Sequence, residues 1–88
     1  MITRRVFPEF PGHFDGDPIV PGAALLAWVQ EQVPDLAEIE HARFSAPLRP
    51  GEPASLEITG SGGALRFTVH GPRGLCARGT GRRAGAPR

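Results

Sequence analysis

The stretch "FPGHFDGDPIVPGAALLAWVQEQV", residues 10–33, decides how this chain folds. Its first half holds three glycines and three prolines around one titratable imidazole, that of His13. Such a segment reads as a stiff loop, because proline fixes its own φ and glycine takes turns that other residues resist. Its second half is almost wholly apolar until Gln30 and Glu31. A helix is predicted from Pro21 to Val33. Proline suits the first helical turn, where its missing N–H costs nothing, and Pro34 disfavours helical backbone in the residue before it. Alanine, leucine and tryptophan fill every side of the first two turns, which predicts a helix buried all round.

Composition sets the outer bounds. The 88 residues suffice for one domain, with 40% hydrophobic residues and a formal net charge of +1. That balance gives no case for binding nucleic acid through bulk charge. All ten basic residues are arginines, which reads as coding bias. Cys76 is the single cysteine, so neither an internal disulfide nor a thiolate cluster is expected. His41 and His70 read as surface residues without metal-ligand spacing, so no metal site is expected. "MITRRVFPEF" has a basic start without an apolar core, and the run Ala23 to Val29 is too short to cross a bilayer. A reducing cytoplasm is the expected location, with no membrane contact.

Beyond the opening stretch the period changes. Ile2 to Phe7 reads as a short strand, possible as an edge. Glu38 to Leu48 alternates in part, and "PLRPGEP" turns. "ASLEITG" sets Leu56 and Ile58 on one face, and "ALRFTVHG" sets Leu65, Phe67 and Val69 against Arg66, Thr68 and His70. "SGG" and "PRG" are turns, and "LCARGT" is a weaker last strand. Residues 1–80 are read as one domain and 81–88 as a disordered tail, since "GRRAGAPR" has little to bury. An α+β fold follows: an antiparallel sheet wrapped around one long helix, with a second subunit expected to complete the burial.

"GHFDGDPIVPG" resembles the His-Phe-Pro-Gly-x-Pro-x-x-Pro-Gly loop of the 3-hydroxyacyl-acyl-carrier-protein dehydratases, which have the hot-dog fold. His13, Phe14, Gly16, Pro18, Ile19, Pro21 and Gly22 match in register. "EHARFSAPLRPGE" is similar to that family's second strand, so the resemblance spans Phe7 to Val69. Ala27 followed by Trp28 is similar to the smaller dehydratase relatives of polyene-type gene clusters, which carry tryptophan after the acid. Two positions depart from the pattern. Asp15 stands where proline is usual. Ala27 stands where the family has its catalytic glutamate or aspartate, and alanine cannot move a proton.

Dehydrating a 3-hydroxyacyl thioester needs a base at the carbon beside the carbonyl, an acid for the leaving hydroxyl, and support for charge on the thioester oxygen. Imidazole titrates near neutral pH, so His13 suits the base. The unpaired N–H groups near Gly22 suit the oxygen. The resemblance implies that His13 of one subunit faces the helix of another, and that the helix lines an acyl tunnel. The implied substrate contacts are Phe14, Gly16, Pro21, Gly22, Ala27 and Trp28, although Trp28 reads more readily as core or interface packing. Glu31 is the candidate displaced acid, one turn beyond Ala27 but about 6 Å along the axis. Asp15 and Asp17 are the other candidates. No cofactor is expected: the substrate arrives on the phosphopantetheine of acyl carrier protein or on coenzyme A. Two further readings stand beside dehydration in fatty acid, polyketide or polyene-type biosynthesis. One is an incomplete subunit, homodimeric or heterodimeric, that binds acyl thioesters or takes its acid from a partner. The other is a hot-dog thioesterase using Asp15 or Asp17.

Overall fold

The structure, a computed structural model, describes residues 1–9 and 18–85. The elements run β1 (Ile2–Val6), α1 (Gly22–Gln32), β2 (Leu36–Phe44), β3 (Pro53–Thr59), β4 (Ala64–Gly71) and β5 (Gly74–Arg83). The strands form one antiparallel sheet in the order β1-β3-β4-β5-β2, so β1 and β2 are its two edges. This is the hot-dog arrangement expected, with α1 laid on one face of the sheet.

The strand pattern explains that placement. Ala54, Leu56 and Ile58 of β3 and Leu65, Phe67 and Val69 of β4 are all buried on the helix side. Against them α1 sets Leu25, Trp28 and Val29, with Val33 at its end. Phe7 meets Trp28 edge-on, ring centroids 5.5 Å apart, an arrangement that aromatic quadrupoles favour. Removing this apolar area from water is the main force holding helix to sheet. The helix stops where proline dictates, and the Val33 N–H closes the last turn on the Val29 carbonyl at 3.1 Å.

Three expectations change. The helix is not buried all round: Ala23, Ala27, Gln30 and Glu31 are exposed. The sheet covers one side only, and alanine methyls expose little apolar surface when left uncovered. Strand β2 begins two residues before Glu38 and ends at Phe44, four before Leu48. There the chain leaves the sheet, Ser45 N–H donating to the Cys76 carbonyl at 2.8 Å and Ala46 N–H to Leu75 at 3.0 Å. Finally, β5 runs through Gly81, Arg82 and Arg83, inside the segment expected to fray. Backbone pairing carries it: Gly81 sits opposite both Leu65 and Ile39. Gly79 and Gly81 are buried because the space a Cβ would need is taken by the β2 backbone at both, by the Phe67 ring at Gly79, and by Leu36 and Leu65 at Gly81. Among the described residues, no helix is long and apolar enough to cross a membrane.

Candidate functional site

His13, Phe14, Asp15, Gly16 and Asp17 lie outside the described residues. The residues on either side of this segment are described. On one side Phe7 is buried and its carbonyl accepts from Gly51 N–H at 2.8 Å. On the other, Val20 is buried and its N–H donates to the Leu48 carbonyl at 2.7 Å. Both ends are therefore tied to one short segment, Leu48 to Gly51.

That segment is itself braced. The Glu52 carboxylate accepts from the Arg49 N–H at 2.7 Å and from both terminal nitrogens of Arg73, at 2.8 and 2.6 Å. The Arg73 hydrogen bonds, then that of the Arg49 backbone, lower the Glu52 pKa to about 2. A charge-assisted fork of this kind fixes geometry as well as adding attraction. Nothing in the sequence around Arg73 announces this clamp. Its signal was the acid closing "RPGE", but the arginine stands 21 residues on, in a different turn, and only the β3–β4–β5 register brings them together.

Helix α1 carries the remaining site residues. Pro21 is its N-cap, with no side-chain capping bond. The Pro21 carbonyl takes the Ala24 N–H at 2.9 Å and the Leu25 N–H at 3.4 Å. Gly22 and Ala23 N–H make no backbone hydrogen bond among the described residues. Those two amides sit at the positive end of the helix dipole and can donate to an anionic oxygen. A Cβ on Gly22 would come within 2.9 Å of the Phe44 ring, so the glycine accommodates the aromatic side chain of β2. Ala27 faces outward on the exposed side of α1, in line with Ala23 and Glu31. Trp28 points the other way and is 1% exposed, in the core.

Glu31 is occupied. Both of its oxygens accept from Arg5, at 2.9 and 3.2 Å. The same guanidinium lies 5.3 Å from the Trp28 ring centroid and 5.7 Å from that of Phe7. The Arg5 hydrogen bonds hold the Glu31 carboxyl below its ordinary pKa and raise that of Arg5. The pairing favours the ionised form of the Glu31 carboxylate.

Other titratable groups stand apart. His41 and His70 are exposed. Cys76 is buried and burial pushes its thiol pKa up, which suits a packing role. Among the described residues, no three histidine, cysteine or acidic side chains are grouped to hold a metal ion.

Comparison with known proteins bears on this arrangement. The chain is 34% identical over 65 residues to the 3-hydroxyacyl-[acyl-carrier-protein] dehydratase FabZ of Symbiobacterium thermophilum, an alignment covering 58% of this chain and 46% of the relative. It is 39% identical over 69 residues to the FabZ of Verminephrobacter eiseniae, covering 59% and 46%. The aligned region thus spans less than half the length of these curated relatives. Among solved structures, the dehydratase heterocomplex ApeI:P from Xenorhabdus doucetiae superposes with a TM-score of 0.78 at 23% identity, over 92% of this chain and 83% of that one. An uncharacterized protein from Erwinia carotovora subsp. atroseptica gives 0.70 at 26% identity, over 92% and 77%. Both likenesses carry the hot-dog fold. Residues 4–80 match the family described as ApeI-like, ApeI dehydratase. The chain belongs to the ApeI-like dehydratase family.

Proposed function

We propose that this protein acts in the reversible dehydration of 3-hydroxyacyl thioesters delivered on acyl carrier protein, with His13 as the base and the acid supplied by a second hot-dog chain. The observation that carries the reading is the outward-facing Ala27: at the position where the resemblance expects the catalytic carboxylate, α1 presents a methyl group on a face its own sheet leaves uncovered. The Arg5 pair, which favours the ionised form of Glu31, and its place one turn beyond Ala27 both weigh against Glu31 as that acid. Positioning errors of about 1 Å already cost a hundredfold.

In this scheme the His13 imidazole removes a proton from the carbon beside the thioester carbonyl. Negative charge gathers on the thioester oxygen, which the Gly22 and Ala23 N–H groups receive. The partner's carboxylic acid protonates the departing hydroxyl, and the products are water and the 2-enoyl thioester. The chemistry calls on no metal or redox cofactor; the phosphopantetheine arm belongs to the substrate. The likeness to a dehydratase heterocomplex favours a different hot-dog chain as partner over a second copy. The route belongs to fatty acid or polyketide/polyene-type biosynthesis, in the cytoplasm.

The test measures interconversion of 3-hydroxyacyl and 2-enoyl thioesters for the chain alone, for the chain with a hot-dog partner bearing the helix acid, and for His13→Ala in that complex. Activity only in the complex, abolished by His13→Ala, is expected. Full activity of the chain alone that survives Ala27→Leu would dispose of the partner-supplied acid. A complex insensitive to His13→Ala would remove the base.

A further inference from the structure

Phe44 sits on the helix-facing side of β2, opposite the fully buried Ala77. Leu56, Leu65, Phe67 and Val69 on that side of the sheet are buried to 2% exposure or less, yet Phe44 is 49% exposed. The reason is local. Its ring does not slide under α1 but lies against the first turn, in the space left by the missing Cβ of Gly22. Ile19, 43% exposed, leads into the same turn, and Ala23 follows it on the helix. An uncharged, partly open apolar wall therefore stands beside the Gly22 and Ala23 amides.

We propose that Phe44 is a specificity-determining residue of the thioester site, its ring setting how much bulk the acyl group can carry next to the thioester. The assignment rests on the dehydratase reading above. A thioester oxygen directed to the first-turn amides brings the carbons beside the carbonyl to the side chains that flank this turn. Phe44 is the bulkiest of those described. Its neighbour Arg43 alternates to the opposite face of the sheet, where it stands across from Arg78. The same strand therefore supplies both the specificity position and an internal control.

The experiment compares hydration of trans-2-butenoyl and trans-4-methyl-2-pentenoyl pantetheine by the loss of enoyl-thioester ultraviolet absorbance, using the catalytically competent preparation. Phe44→Ala should raise the branched-to-straight ratio of kcat/KM by about tenfold, the scale on which apolar pockets discriminate one or two carbons. The change should lie mainly in KM. Phe44→Trp should lower the ratio, Phe44→Leu should fall between Ala and wild type, and Arg43→Ala should leave it unchanged. Leu and Trp keep the reading available where Ala fails to fold. Equal ratios in wild type, Leu and Trp would overturn the assignment while leaving the dehydratase reading intact. A wild type that neither converts nor binds either thioester, with or without a partner, would overturn both.

Discussion

Helix α1 has two faces of nearly the same hydrophobic character in sequence and opposite fates in the fold. One face, Leu25, Trp28 and Val29, is sealed against the sheet; the other, Ala23, Ala27 and Glu31, meets solvent. The difference is one of side-chain size. Large residues face the sheet because only their burial gives a large gain, whereas exposed alanines lose little. What the comparison teaches is that an apolar helix can be half core and half open face, and each half answers differently to mutation.

The largest effect should come from the sealed face. Trp28→Ala removes a side chain that is 1% exposed and packs edge-on to Phe7. A loss of about 3–5 kcal/mol is expected, read from urea unfolding followed by circular dichroism. It should be accompanied by a weaker Arg5–Glu31 pair, since Arg5 rests over the Trp28 ring. A loss under about 1 kcal/mol, the range of surface substitutions, would mean that the two faces do not differ as described.

Next comes the sheet floor beneath that face. A Cβ on Gly79 would collide with the His41 carbonyl and the Phe67 ring. Gly79→Ala should therefore cost about 1–3 kcal/mol by overpacking, measurable as a lowered Tm. Stability equal to wild type would show that β2 is free to shift outward from β5 at this edge.

How much of this was legible beforehand depends on what kind of signal each residue gives. Strands β3 and β4 could be read because Leu56, Ile58, Leu65, Phe67 and Val69 alternate with polar residues. Strand β5 was cut short because its inward positions are Gly79 and Gly81, which carry no hydrophobic signal. Their burial follows from neighbours in β2 and β4. The helix ends were legible in Pro21 and Pro34, but not which side would be covered, since that depends on how much sheet the chain supplies. At the site, Gly22 could be read as the start of the helix and its free amides, while the Phe44 ring packed against it could not. Neither ion pair that disciplines the site could be read, because Arg5 and Glu31 are 26 residues apart and Glu52 and Arg73 are 21 apart.

The Glu52 clamp sharpens the comparison from outside the helix, since it braces the segment to which both ends of the His13 loop are tied. The folded pKa of Glu52 is about 2, below the ordinary carboxyl value of 4.5. A depressed folded pKa adds stability that is present above the unfolded value and is lost as pH falls through the folded one. The Tm gap between wild type and Glu52→Gln should thus be full at pH 6 and should close as pH falls from about 4.5 towards about 2. A gap that persists undiminished at pH 2 would mean the carboxylate is not what holds Arg73.

The smallest effect is expected where the sequence and the resemblance disagree most. Ala27→Glu adds a carboxylate to the exposed face, where no described side chain packs over the methyl group. It stands four residues before Glu31, so the isolated chain should lose about 0.2–0.5 kcal/mol from like-charge repulsion. Arg5 already neutralises much of the Glu31 charge, which argues for the lower end. Chemical denaturation at two protein concentrations checks this. A loss approaching that of Trp28→Ala, and growing with concentration, would mean that a second copy already covers this face. The tenths expected here would instead mean that no second copy of this chain covers the face in solution.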